Sequence, residues 1–288
     1  MDTYANKIIH GDSLKVLQQI PSSVFDCGVT SPPYNKQEKN KGWMVSSVVY
    51  DSFSDTMSEE DYQLNQINVL NELYRVTKDG GSFFYNHKIR WNKGKMIHPF
   101  EWICKTKWCI RQEIIWDRMI AANIRGWRFW QVEERVYWLY KPLNNNLIGE
   151  ELDSKHALMT SIWRLRPEQK SQHPAPFPID LPTRCIFSVI KSAQNANIID
   201  PYCGSGTTLL AAKLLNCNFC GIDISANYIE IAKNRIQTPS EQDLSIFDQE
   251  ILRHKVEKTF KERKKSAFYK AKNKAFCNDV IFHSDTLL

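Results

Sequence analysis

Late in the chain, the sequence leaves little freedom of fold. Ala196 to Asp200 is a short apolar run of the kind that makes a buried strand. Thr207 to Leu215 has helical composition, and Asn218 to Asp223 is strand-like again. A strand, a crossover helix and a second strand imply a parallel sheet with helices on its faces. The alternation recurs nearer the start, where Lys7 to His10 and Val24 to Thr30 read as strands around a helix over Ser13 to Ile20. Ser58, followed by three acids, reads as a helix start whose apolar face is Ile67, Leu70, Leu73 and Tyr74. Asp79-Gly80-Gly81 is expected to stop that helix before a strand over Ser82 to Tyr85. Residues 91–109 suggest a further helix, and Ile110 to Trp116 and Arg135 to Tyr140 two strands. Residues 143–182 promise little regular structure, and Ile186 to Ser192 the end of a helix. Ser225 is expected to cap a helix over Tyr228 to Ile236. The expected class is α/β. Such sheets bind ligands at the carboxyl ends of their strands, which singles out the loops after Val29, Tyr85, Ile199 and Ile222.

The 288 residues suit one large domain, expected over 1–240, with an extension over 241–288. A long polar loop over 36–57 interrupts the domain. No apolar run is long enough to predict a membrane helix, and the start lacks a secretory pattern. A cytoplasmic protein is expected, and the eight scattered cysteines fit reduced, buried thiols. Cys217 and Cys220 form a C-x-x-C, but no second pair completes zinc spacing, so no metal is expected. The formal charge is +6, yet residues 253–274 hold ten Lys or Arg against two Glu. The rest of the chain is therefore slightly acidic. A basic helical tail of this kind attracts a polyanion or simply solvates a helix face.

The glycine loop carries the first chemical signal. Asp200-Pro201-Tyr202-Cys203-Gly204-Ser205-Gly206-Thr207-Thr208 leaves a strand and opens a helix. Gly221-Ile222-Asp223-Ile224 follows, with the acid 19 residues after Gly204, about the spacing at which a carboxylate meets a ribose. A dinucleotide fingerprint wants a third small residue where Leu209 stands. Asp200 would also repel a pyrophosphate and attract a cation. S-adenosylmethionine, an adenosine with no phosphate and with cationic groups, fits this pattern. A purely structural turn, a nicotinamide enzyme and a non-catalytic nucleoside module are the alternatives.

The second signal is Thr30-Ser31-Pro32-Pro33-Tyr34-Asn35, which ends the Val24 to Thr30 strand. Two prolines cannot continue a central strand, so the loop is rigid. An exocyclic amine on a nucleobase is a poor nucleophile because its lone pair is delocalised into the ring. Ser31 Oγ and the Pro32 carbonyl could accept its two hydrogens and draw the nitrogen toward tetrahedral geometry, with Tyr34 stacked on a flipped base.

These motifs resemble the amino-type DNA methyltransferases, which act on cytosine N4 or adenine N6. Ser31-Pro32-Pro33-Tyr34 matches the family's [DNS]-P-P-[YFW], and Asp200 to Gly206 its D-P-F-x-G-S-G with Tyr202 in place of Phe. Ile9 to Ser13, Lys78 to Gly81 and His173 to Pro178 match further pieces. The proline loop precedes the cofactor loop, the permuted order of the beta subgroup. The resemblance covers residues 6–237 and implies a Rossmann-like methyltransferase fold, a mostly parallel sheet with an antiparallel hairpin. It implies S-adenosylmethionine as cofactor, with Asp223 on the ribose and Asp12 and Ser13 near the adenine. Phe177 and the loop from Asp200 through Thr208 would border the methionine half. Double-stranded DNA is the implied partner, and the family admits a companion restriction endonuclease and a homodimer.

Target recognition is expected from the variable segment 143–172, the 36–57 loop, the stretch from Arg118 to Trp130 and the tail. Lys36, Lys39, Lys41, Arg118, Arg125 and Arg128 are the candidate DNA contacts, with solvated arginines beside core aromatics as the plain alternative. His87 and His173 read as structural. Carbon-5 methylation needs a cysteine nucleophile, usually after proline. No Pro-Cys exists, so the target is an amine. Serine at the first motif position is commonest among N4-cytosine enzymes of the family and aspartate among N6-adenine enzymes, which favours cytosine.

Overall fold

The computed structural model describes residues 3–35, 57–121, 124, 126–143, 160–168, 177–190 and 195–254. In chain order the elements are β1 (Lys7–His10), α1 (Ser13–Gln19), β2 (Phe25–Thr30), α2 (Glu59–Val76), β3 (Thr77–His87) and β4 (Arg90–Asn92). Then come β5 (Lys95–Ile97), α3 (Phe100–Ile103), β6 (Cys109–Asp117), β7 (Glu133–Tyr140) and β8 (Ile162–Arg164). The last are α4 (Asp180–Val189), β9 (Asn197–Asp200), α5 (Thr207–Leu214), β10 (Asn218–Asp223), α6 (Ala226–Gln237) and α7 (Glu241–His254).

Eight strands form one sheet in the order β1-β10-β9-β2-β3-β7-β6-β8. The first five run parallel. β7 joins β3 antiparallel, and β6 joins β7 antiparallel. The class is therefore the expected Rossmann-like sheet with an antiparallel pair. Side chains alternate between faces. Cys27, Val29, Phe84, Val136, Trp138 and Ile198 enter a core with α4 and α5. Phe25, Phe83, Tyr85, Tyr137, Leu139 and Ile199 enter a second core with α1, α2 and α3. Gly28 lies where the sheet is tightest: a Cβ there would stand 2.4 Å from the Phe83 ring.

Local chemistry explains the helix starts. The side chains of Asp12, Ser58 and Ser225 each accept a backbone N–H in the first turn of α1, α2 and α6. The structure departs from expectation at three places. Asp79-Gly80-Gly81 lies inside β3, because the helix already ends at Val76 and Thr77 caps it in extended geometry. Residues 91–109 contain no long helix. Lys93 and Gly94 both have positive φ, 49° and 80°, a two-residue turn that pairs β4 with β5 before the single turn of α3. Within 143–182, β8 adds a strand parallel to β6, and α4 already begins at Asp180.

α7 packs on α4 through a buried ion pair. Arg184 donates from Nε and Nη2 to Glu250 at 2.6 and 2.9 Å, with the two side chains 6% and 2% exposed. Among the described residues no helix is long and apolar enough to cross a membrane.

Candidate functional site

The sheet order brings the carboxyl ends of β1, β10, β9 and β2 side by side. Asp12, Asp223, Asp200 and Ser31 therefore gather at one edge although they span the chain. Asp223 closes β10 and accepts the Gly204 N–H at Oδ2 (2.8 Å) and the Ser225 N–H at Oδ1 (2.9 Å). Those bonds fix its carboxylate against the glycine loop, and burial raises its pKa. Gly204 and Gly206 take positive φ of 47° and 80°. A Cβ on Gly206 would sit 2.9 Å from that of Ala232, so the loop lies against α6 only because no side chain is there. Asp12 caps α1 through Oδ1, and the Ser13 hydroxyl donates to the Pro201 carbonyl.

Asp200 is 1% exposed. Its Oδ1 accepts from Thr30 Oγ1 at 2.6 Å and from the Tyr202 N–H at 3.1 Å. Burial nevertheless outweighs those bonds and lifts it to about 6. Not every loop side chain faces a ligand position. Arg235 of α6 donates to Ser205 Oγ and Thr207 Oγ1, and Thr208 Oγ1 donates to the Val29 carbonyl. Cys203 is buried, and burial pushes its thiol well above the ordinary value, which removes it as a nucleophile. Phe177 packs into the α4–α5 core, and Ile224 is 42% exposed at the rim.

The Ser31-Pro32-Pro33-Tyr34 loop is held from behind. Tyr62 Oη lies 2.8 Å from the Pro33 carbonyl and 2.7 Å from His87 Nε2. His87 Nδ1 faces the Lys88 carbonyl at 2.8 Å, so Nδ1 carries the hydrogen and Nε2 accepts. Burial, with Arg90 nearby, drives His87 well below its ordinary pKa and keeps it neutral. Arg90 pairs with Glu59 through two 2.8 Å bonds and covers the Tyr62 ring at 4.8 Å. Tyr34 is only 7% exposed, with its ring 4.6 Å from that of His87. Stacking on a base asks for a free ring face, and here the residue is turned inward. Its hydroxyl lies 2.7 Å from Ser31 Oγ and 2.9 Å from both Asn86 Oδ1 and Glu134 Oε2.

Tyr62, Asn86, Arg90 and Glu134 were not marked by any sequence motif. Asn86 could have been found as a polar residue at the carboxyl end of β3. Glu134 reaches the site from β7, and only the strand register reveals it.

Among the expected DNA contacts, Arg118 is paired with Glu134 Oε1 at 3.0 Å. Arg128 lies over the Trp91 ring at 4.1 Å and that of Trp127 at 5.7 Å. Next to it Phe129 is 99% exposed, and Trp127 and Trp130 are more than half exposed. Lys36, Lys39, Lys41, Arg125, His173, the 36–56 stretch and the tail beyond residue 254 lie outside the described residues.

A nucleoside cradle at β9 and β10 beside a rigid proline loop at β2 is the arrangement of a Rossmann-like methyltransferase. The chain belongs to the DNA methylase family of the N6/N4 type, whose model matches residues 25–234. It is 27% identical over 269 residues to the type II methyltransferase M.ScaI of Streptomyces caespitosus, covering 81% of this chain and 82% of that protein. It is also 27% identical over 286 residues to M.HinfI of Haemophilus influenzae, covering 89% and 76%. Its fold matches that of the cytosine-N4-specific PvuII DNA methyltransferase, with TM-score 0.63 and 16% identity over 86% of this chain and 93% of the other. It also matches a DNA modification methylase of Thermus thermophilus, TTHA0409, solved with S-adenosyl-L-methionine, with TM-score 0.58 and 22% identity over 80% and 93%.

Proposed function

We propose that this DNA methyltransferase moves a methyl group from S-adenosylmethionine to the exocyclic N4 of a cytosine flipped out of duplex DNA. Ser31 carries the choice of base: a hydroxyl stands at the motif position where a carboxylate is commonest for adenine. The donor set suits the cofactor. Carboxylates at Asp12, Asp200 and Asp223 favour hydroxyls and cations and repel phosphates, and the Gly204–Gly206 turn keeps side chains out of the cradle. Bound there, S-adenosylmethionine supplies an electrophilic methyl group on sulfur.

The chain's own residues do the rest. Asp223 holds the ribose, Asp12 and Ser13 flank the adenine, and Phe177 with the Asp200–Thr208 loop borders the methionine half. Ser31 Oγ and the Pro32 carbonyl accept the two amine hydrogens and free the nitrogen lone pair. Tyr34 fixes Ser31 from behind through its hydroxyl. Lys36, Lys39, Lys41, Arg125 and Arg128 meet phosphate or base edges, and Phe129 fills the gap left by the flipped base. The type II relatives support a companion endonuclease reading the same site.

The test is mass spectrometry of nucleosides from DNA of diverse sequence incubated with protein and cofactor. N4-methylcytosine is the expected product. N6-methyladenine would overturn the choice of base and keep the amine chemistry. No methylated base, with cofactor binding confirmed, would overturn the assignment.

A further inference from the structure

Around Tyr34 there are more acceptors than hydrogens. Its hydroxyl carries one hydrogen and touches Ser31 Oγ, Asn86 Oδ1 and Glu134 Oε2. Asn86 cannot flip to supply a hydrogen, because its amide Nδ2 donates to the Arg135 carbonyl at 3.0 Å. Its oxygen must therefore face Tyr34. Glu134 is 7% exposed and its other oxygen accepts from Arg118. Between a neutral amide oxygen and a carboxylate, the hydroxyl hydrogen goes to the carboxylate, the stronger acceptor by roughly twofold. With its own hydrogen committed, Tyr34 Oη can only accept from Ser31. The hydrogens then run in one direction, from Ser31 to Tyr34 to Glu134.

We infer that Glu134 is a positioning residue for methyl transfer, acting through Tyr34 to fix Ser31 as a hydrogen-bond acceptor and to receive the proton the amine gives up. The inference rests on the reading that Ser31 binds the target amine. Because the Ser31 hydrogen points inward, its lone pairs face the substrate. The site then accepts a base that donates and rejects one that presents an oxo group. Once the nitrogen lone pair has formed the N–C bond and the C–S electron pair has stayed with sulfur, the nitrogen carries a surplus proton. That proton passes to Ser31 Oγ as the Ser31 hydrogen moves to Tyr34 Oη and the Tyr34 hydrogen moves to Glu134 Oε2. The product is a neutral methylamino base and a protonated Glu134, which returns its proton to solvent between turnovers.

Glu134→Gln reverses the polarity. Arg118 holds the amide oxygen, so the amide N–H₂ faces Tyr34 and competes with Ser31 as donor. Tyr34→Phe breaks the chain while leaving the Arg118–Glu134 pair intact, and serves if the first variant is unstable.

The experiment uses a duplex carrying the target site mapped by methylation, with the target base as the amine or as its oxo analogue (uracil for cytosine, hypoxanthine for adenine). Anisotropy titrations with S-adenosylhomocysteine present should give about a tenfold preference for the amine duplex in wild type, the effect of one mispaired buried hydrogen bond. The preference should fall to near unity in E134Q and Y34F. Single-turnover transfer in E134Q should fall roughly 100-fold, the lower range for a positioned base, with cofactor affinity unchanged. Adding E134Q to Y34F should change nothing further. Wild-type preference and rate in E134Q, or additive losses in the double variant, would overturn the inference. Full turnover by S31A would instead overturn the reading of Ser31 beneath it.

Discussion

Asp200→Asn should make the free protein more stable and its cofactor binding weaker. The structure gives the size of the first effect. Burial raises the Asp200 carboxyl from the usual 3.8 to about 6, against the opposing hydrogen bonds of Thr30, Thr208 and Tyr202. Its folded-state value lies above the unfolded one, so its favourable contribution is complete below about 4 and is lost as pH rises through about 6. At pH 8 the buried charge destabilises the fold by on the order of 3 kcal/mol. An asparagine oxygen can keep the bonds from Thr30 and the Tyr202 N–H and never ionises.

In a domain of this size that difference corresponds to roughly 5–10 °C in melting temperature. Thermal melts of both proteins without cofactor, from pH 4.5 to 8, should show the gain above pH 7 and its disappearance at the acid end. Equal melting at pH 8, or a gain independent of pH, would refute the reasoning. The functional counterpart follows from the same carboxylate. A cationic ligand favours the ionised form, so S-adenosylmethionine should bind wild type with proton release. Its affinity should rise roughly tenfold between pH 5 and 7 and stay flat in D200N by calorimetry.

Ser31→Ala should cut methyl transfer about 100-fold with cofactor affinity intact, whereas Asp223→Ala should weaken cofactor binding first. Radiolabel transfer and calorimetry separate the two. Glu250→Ala strands a buried Arg184 and should cost about 3–5 kcal/mol in denaturant melts, most of it recovered by replacing both residues with apolar ones. Phe129→Ala should leave stability within about 0.5 kcal/mol but reduce the fluorescence rise of 2-aminopurine at the target position, because the 99% exposed ring touches DNA rather than the core. Removing residues 255–288 should weaken DNA binding at low salt and flatten its salt dependence.

What the sequence made legible was what local chemistry decides. Capping side chains at Ser58 and Ser225 marked two helix starts, and the apolar run at Asn218–Asp223 matched β10 to the residue. Asp200, Asp223 and Ser31 stood out because glycines and prolines around them leave few conformations. The β4–β5 hairpin was missed because its turn uses Lys93 and Gly94 where Asn-Gly would have announced it. Glu134 and Tyr62 were missed for a different reason. Nothing beside them in sequence is unusual, and their importance comes from which strand or helix lies next to the proline loop. The inward turn of Tyr34 was likewise invisible, since an aromatic beside prolines reads the same whether its hydroxyl is bound or free.

That dependence on neighbours also explains how a permuted motif order can serve one reaction. The proline loop ends β2 near the start of the chain and the cofactor loop follows β9 near its end. In the sheet these strands are adjacent, with Cys27 opposite Ile198 and Gly28 opposite Ile199. The two loops then touch directly: Thr30 donates to Asp200, and Thr208 donates to the Val29 carbonyl. Transfer between two bound groups is sensitive to misplacement of about 1 Å. A hydrogen bond from the residue before Ser31 to the first residue of the cofactor loop is a short route for fixing that distance. The geometry needs β2 and β9 side by side, and it is indifferent to which of them the chain reaches first.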